Sequence, residues 1–183
     1  MKDLSLHILD IVQNSLAAGA QSIEISICEN SQDNLLVIEI SDNGKGMSST
    51  EAENSLDPFV TSRKTREVGL GLSLLRQNAC FCGGDMDITS APGAGTTVRA
   101  CFERDHIDRP PLGDMVETLV SLIALNPKID FSYIHELDED RFEFTTTEVR
   151  ERLEEVEINS PEVLNWIGKY LRERIEDLRG GED

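Results

Sequence analysis

The spacing of apolar positions changes along the chain, and each change predicts an element. Leu4, Ile8, Ile11, Val12 and Leu16 recur at helical spacing, and Gly19 stands where such a helix would stop. The period then drops to two. Ile23, Ile25 and Ile27 alternate with polar residues, and Leu35 to Ile40 is rich in Leu, Val and Ile, so two strands are expected. Ser49 to Leu56 reads as a short helix that Asp57-Pro58 breaks. Residues 59–68 keep no period and are expected to form a mobile loop. A second long helix should run from Gly71 to Cys80 or Phe81 and end at Gly83-Gly84. Strands near 85–90 and 96–103 flank the turn Pro92-Gly93-Ala94-Gly95. This order predicts an α+β fold, a two-layer α/β sandwich with an antiparallel-rich sheet covered by helices on one face.

Pro110-Pro111 marks a boundary between residues 1–104 and an extension over 105–183. In the extension, Asp114 can cap a helix over 115–125 that ends at Asn126-Pro127. Ile129 to Tyr133 and Phe142 to Thr145 alternate around Asp138-Glu139-Asp140 and read as a hairpin. Two helices should follow. Ser160 is read as the cap of the last, with Pro161 at its first position and Val163, Ile167, Leu171, Ile175 and Leu178 as its stripe. An isolated hairpin is marginal, so the extension is expected to pack on the first unit.

Composition narrows the partners. The chain has 183 residues and a net charge of −18, from 17 basic and 35 acidic side chains. Such a balance argues against broad binding to nucleic acid or an anionic membrane. The charge is uneven, −6 over residues 1–104 and −12 over 105–183. The longest mostly apolar stretch, Met115 to Leu125, contains Glu117 and is about half of what a bilayer needs. No signal peptide is read at the start, and Cys28, Cys80, Cys82 and Cys101 form no CxxC pair. A reduced, cytoplasmic protein is expected.

The candidate chemistry lies between residues 7 and 97. Of the 13 glycines, 8 fall between 44 and 95, where the backbone must turn sharply or approach a ligand. Neither GxxxxGK[ST] nor the three-glycine dinucleotide fingerprint is present. His7, Asp10 and Asn14 share one side of the first helix. A carboxylate one turn from a carboxamide suits a metal and a water together, because Mg²⁺ prefers hard oxygen ligands. Asp42-Asn43-Gly44-Lys45-Gly46 forms a turn after a strand. The loop 57–72 carries Arg63, Lys64 and Arg66 inside an acidic protein and ends in Gly69-Leu70-Gly71, which opens a helix whose free N–H groups would suit an anion. Gly95-Thr96-Thr97-Val98 is a turn entering a strand.

Taken singly, each segment has an ordinary reading as a solvated helix face, a turn, a charged loop or a hairpin. Together, in this order, they resemble the GHKL superfamily of ATPases. Leu9 to Ala20 is similar to its N box, Asp42 to Met47 to its G1 box, and Asp57 to Arg63 to its F box. Gly69 to Ser73 is similar to its G2 box, and Gly93 to Val98 to its glycine–threonine motif. The last three are nearest the histidine-kinase version. In length and tail the chain resembles short, stand-alone histidine-kinase-like ATP-binding proteins.

The resemblance implies ATP and Mg²⁺ as cofactors. Asn14 would bind the Mg²⁺ that bridges the phosphates. Asp42 would accept the adenine amino group, and Thr97 would help hold a water at the ring edge. Gly44 and Gly46 would let the base lie close to the backbone. Gly69, Gly71 and Arg63 or Lys64 would cradle the phosphates. Asp10 stands where hydrolytic members carry a Glu that serves as general base, one methylene shorter. Ala17 and Ala18 replace a polar ligand-side residue. His7 is read as a helix-face residue beside the site, since a kinase's acceptor histidine belongs to a separate upstream domain. His106 and His135 are read as structural.

The function implied is an ATP-binding enzyme that hydrolyses ATP or passes its γ-phosphate to a separate partner protein. The alternative is a non-catalytic, ATP-dependent regulatory module. The 105–183 extension has no catalytic motif and is where dimer or partner contacts are expected.

Overall fold

A computed structural model of the chain describes residues 3–56, 71–153 and 155–180. Helix α1 (Leu4–Ala17) starts at Asp3, whose carboxylate accepts the Leu6 N–H at 3.1 Å. Such a cap contributes ~1 kcal/mol, because a helix start leaves four amides without an internal partner. Two more of those amides, on Leu4 and Ser5, donate to the Pro111 and Leu112 carbonyls at 2.9 and 2.8 Å. The proline segment therefore also closes the start of α1.

Strands β1 (Ser22–Asn30) and β2 (Leu35–Asp42) pair antiparallel. Helices α2 (Ser49–Leu56) and α3 (Gly71–Phe81) precede β3 (Asp85–Ala91) and β4 (Gly95–Glu103). Helix α4 (Met115–Leu125), the hairpin β5 (Asp130–Leu137) and β6 (Asp140–Thr145), and helices α5 (Thr146–Leu153) and α6 (Pro161–Leu178) complete the described chain. The 59–68 segment lies outside the described residues.

One sheet runs through the fold in the order β3-β4-β2-β1-β5-β6. Every neighbouring pair is antiparallel except β1 and β5, which run parallel with Ile25 beside Tyr133. The hairpin packs by continuing the sheet rather than by lying on a layer. Strand β5 is longer than the 129–133 alternation suggests, because His135 and Leu137 keep the same face. The register puts Met86, Ala100, Ile38, Ile27, His135 and Phe142 on one face. That face is covered by α3, α1, α4 and α6, where neighbours in this series touch one another. The other face carries Glu24, Glu39, Arg99 and Glu143. Each isoleucine of Ile23, Ile25 and Ile27 is fully buried, which contributes roughly 1.5–3 kcal/mol apiece.

The α+β, two-layer arrangement is the expected class, and Asp114 caps α4 by accepting the Glu117 N–H at 2.8 Å. One expected cap fails. Ser160 does precede α6 with Pro161 at its first position, but its hydroxyl makes no capping bond. That hydroxyl is buried with no partner among the described residues.

Candidate functional site

Asp42 ends β2 on the helix-covered face, opposite Ile23 on one side and Thr96 on the other. Its carboxylate accepts two hydrogen bonds. Ser15 Oγ, from α1, donates at 2.6 Å, and the Gly44 N–H donates at 2.8 Å. An ionised carboxylate offers about four lone-pair positions, so two remain for a further donor. Ser15 was not among the expected site residues. The visible signal was a hydroxyl at position 15, where the stripe Ile8, Ile11, Val12 calls for an apolar side chain.

The turn after Asp42 is held from below by the β3–β4 hairpin. The Gly93 N–H donates to the Lys45 carbonyl at 2.7 Å, and the Met47 N–H to Ser90 Oγ at 2.8 Å. Ser90 Oγ and Thr96 Oγ1 lie 2.9 Å apart. Gly46 has φ of +67°, and a Cβ there would stand 1.9 Å from the Ala91 carbonyl oxygen. Its close approach is therefore to the hairpin backbone rather than to an open ligand position. Gly44 is tight against the carboxylate itself, a Cβ there lying 2.9 Å from Asp42 Oδ1.

The strand register separates the two threonines. Thr97 stands opposite Ser41, with their hydroxyls 2.8 Å apart on the face away from the helices. Thr96, the neighbour one position earlier, shares the face of Asp42. The register thus puts Thr96, not Thr97, on the face of the carboxylate. The repeated threonine hid this, because a one-residue step on a strand reverses the face.

Asp10 and Asn14 lie one turn apart on α1. Asp10 Oδ2 and Asn14 Nδ2 are both buried with no hydrogen-bond partner among the described residues. A buried, unsatisfied polar atom is costly, about 1–3 kcal/mol, and points to a partner that completes it. Asp10 meets the start of α3. A Cβ on Gly71 would lie 1.7 Å from Asp10 Oδ2, so only glycine lets the first turn of α3 come this close. The free N–H groups of a helix start and a carboxylate are matched in charge. His7, one turn before Asp10, is 1% exposed and accepts or donates at Nε2 to Asn78 at 3.2 Å. Burial holds its pKa below the ordinary histidine value, with a hydrogen bond to the Gly71 backbone and the charges of Asp10 and Asp3 pulling the other way. Arg63, Lys64 and Gly69 lie outside the described residues.

His135 is fully buried at the far end of the sheet. Tyr133 Oη lies 2.9 Å from its Nδ1, and Glu29 Oε1 lies 3.0 Å from its Nε2. The His135 hydrogen bond, followed by the charges of Arg179 and Arg104, holds the Glu29 carboxyl below its usual pKa against the opposing pull of burial. This trio joins β1 to β5 and has no part in the Asp42 site.

Comparison with known proteins gives the family and the fold. Residues 2–106 match the family described as histidine kinase-, DNA gyrase B-, and HSP90-like ATPase. Histidine protein kinase DivJ of Caulobacter vibrioides is 35% identical over 95 residues, which is 50% of this chain and 16% of that kinase. Sporulation kinase D of Bacillus subtilis is 32% identical over 91 residues, covering 50% of this chain and 18% of that kinase. The match therefore spans less than a fifth of either kinase. The Aquifex aeolicus MutL ATPase domain complexed with ADP shares the fold at a TM-score of 0.50 and 15% identity, over 84% of this chain and 68% of that one. With more than half of its residues inside the family match, and with Asp10, Asn14, Asp42 and Gly71 gathered around one helix, the chain belongs to the histidine kinase-, gyrase B- and HSP90-like ATPases.

Proposed function

We propose that the chain binds MgATP between α1, the 43–47 turn, the β3–β4 hairpin and the start of α3, and transfers the γ-phosphate to water or to a partner protein. Asp42 carries this reading. Its carboxylate is fixed by Ser15 and the Gly44 N–H with lone pairs to spare. That suits the adenine amino donor and would leave a guanine carbonyl facing a second acceptor. Thr96 is the hydroxyl on the same side, and replaces Thr97 in that role.

The residues present fit Mg²⁺. Among the described residues, no group of three or more His, Cys, Asp or Glu could hold a metal. Magnesium in phosphoryl transfer keeps waters and phosphate oxygens and needs few protein ligands. Asn14 would supply a carboxamide oxygen one turn from Asp10, whose Oδ2 is buried. When bound, the ion would neutralise charge on the phosphates. Arg63, Lys64 and Gly69 are proposed for the phosphates together with the first turn of α3. Asp10 takes the proton of the attacking water or protein hydroxyl as its oxygen bonds to the γ-phosphorus and ADP leaves. His7 and His135, buried and hydrogen-bonded, are not presented as acceptors.

A second reading has the chain as a regulatory module that binds ATP without turnover. It is favoured by Asp10 Oδ2 lying packed at Gly71 rather than open. Incubation with Mg²⁺ and labelled ATP separates the two. The enzyme reading predicts released phosphate, or label on a partner, that is lost in Asp10→Ala. Intact ATP binding without any turnover supports the module. Cytoplasmic signalling, a homodimer and partner contacts through 105–183 belong to the same proposal. No described helix is long and apolar enough to cross a membrane.

A further inference from the structure

The sheet ends at β6, and among the described residues no strand lies beyond it. Leu137 pairs with Asp140 around the turn Asp138-Glu139, and the pair flanking such a turn exchanges both backbone hydrogen bonds. The exchange recurs at every second residue, so Asp140, Phe142 and Phe144 direct their backbone groups at β5. The Asp138 N–H confirms the phase. It donates to the Glu29 carbonyl of β1 at 2.9 Å, on the opposite side of β5. The N–H and C=O groups of Arg141 and Glu143 are therefore aimed outward, at the free edge.

An unpaired edge is a template for another strand, and charged side chains are a common guard against it. Here the charges select a partner. Arg141 and Glu143 are exposed on the sheet face away from the helices. Arg141 lies 3.1 Å from Glu136 and 3.2 Å from Glu143. Such exposed pairs contribute little, so exchanging one for another costs little. A second β6 running antiparallel must set odd residues against odd ones, because a one-residue slip reverses the face. A two-fold axis through Arg141 sets arginine against arginine, and one through Glu143 sets glutamate against glutamate. An axis through Phe144 pairs Glu143 with Thr145 and leaves both arginines unanswered. An axis through Phe142 sets Arg141 of each copy against Glu143 of the other. These are the outward-aimed positions, so about four backbone hydrogen bonds form with them.

The helix layer is also open at this end. Tyr170 meets Phe142 at 6.0 Å and Phe144 at 6.5 Å, and Trp166, 48% exposed, stacks on Tyr170 at 5.3 Å. The other edge, β3, is not equivalent, since Asp85 and Asp87 have no basic residue on their strand to answer them.

We propose that β6 is a self-association edge, on which a second copy of this chain adds its own β6 antiparallel with the two-fold axis at Phe142. Two six-stranded sheets then join into one. The edge lies at the opposite end of the sheet from the β3–β4 hairpin, so the pairing does not compete with the nucleotide site. This names the surface of the homodimer included in the proposed function, and it stands whether or not ATP is bound or turned over. A charge of −18 on each copy opposes association and one strand is a small interface, so the dimer is weak.

The test is sedimentation equilibrium of the full chain without nucleotide, from about 10 µM to 1 mM protein in about 0.15 M salt. Wild type should pass from monomer to dimer with a Kd of about 100 µM or tighter. A chain still monomeric at the highest concentration overturns the proposal. Arg141→Glu and Glu143→Arg change exposed positions, and melting checks that each variant is folded. Each should weaken the dimer about tenfold or more, because like charges then face each other. Combining both changes in one chain should restore it. An equimolar mixture of the two single variants should also associate, since every facing pair is again opposite in sign. Association that ignores the single changes overturns the proposal, and so does a combined variant or a mixture no better than the single variants. ATP binding measured on the same samples keeps the two readings apart, because a broken β6 edge should leave it unchanged.

Discussion

Gly46 and Gly71 are both crowded, yet their substitution by alanine should fail in different ways. At Gly46 the obstacle is the Ala91 carbonyl of the backbone, 1.9 Å from a Cβ, and φ is positive. Gly46→Ala should therefore cost more than about 1 kcal/mol of stability, read as a lowered denaturant midpoint. At Gly71 the obstacle is the tip of the Asp10 side chain, 1.7 Å from a Cβ, and a side chain can move aside. Gly71→Ala should lower the midpoint less than Gly46→Ala does and, by displacing Asp10, reduce turnover. Equal loss of stability in both variants would contradict the account. The sequence showed that glycines were needed here but not what crowds them. Helix spacing put Asp10 and Asn14 on one side of α1. Which of Thr96 and Thr97 shares the face of Asp42 was not legible, because face depends on register with β2, which only pairing fixes.

Among the elements, β1 carries the greatest consequence. Its alternation of Ile23, Ile25 and Ile27 made it legible as a strand, but nothing in that pattern named its second neighbour. Pairing with β5 is parallel and spans about a hundred residues of sequence, so no local turn signal announces it. The Glu29–His135–Tyr133 chain stitches this junction. Glu29→Gln should cost about 1.5–3 kcal/mol near neutral pH, since it removes the charged partner of a buried hydrogen bond. Because the folded Glu29 pKa is depressed, its contribution is present above the unfolded value and lost as pH falls through the folded value. Thermal melts of wild type and Glu29→Gln should therefore converge as pH is lowered below about 4.5. A gap that stays constant into acid would show that Glu29 acts through packing alone.

At the scale of the molecule, the extension and the site-bearing unit share one sheet and one helix layer. The Pro111 and Leu112 carbonyls cap the very helix that carries Asp10 and Asn14. A chain cut after residue 110 would leave β1 an unprotected edge and strip its cover of α4. The full chain should melt in a single cooperative transition that the truncated chain loses, and a truncated chain with an unchanged melting profile would refute this coupling. The charge of −18 argued against nucleic acid and membrane in the sequence reading, and left the proposed nucleotide site as the binding chemistry to test. The most direct test of that site is calorimetric titration of the full chain with MgATP and MgGTP, for wild type and Asp42→Ala, with folding of each checked by melting. The account predicts that wild type prefers ATP, and that Asp42→Ala weakens ATP about ten- to a hundred-fold, as the loss of one charged hydrogen bond requires. ATP binding of equal strength in folded Asp42→Ala would contradict it.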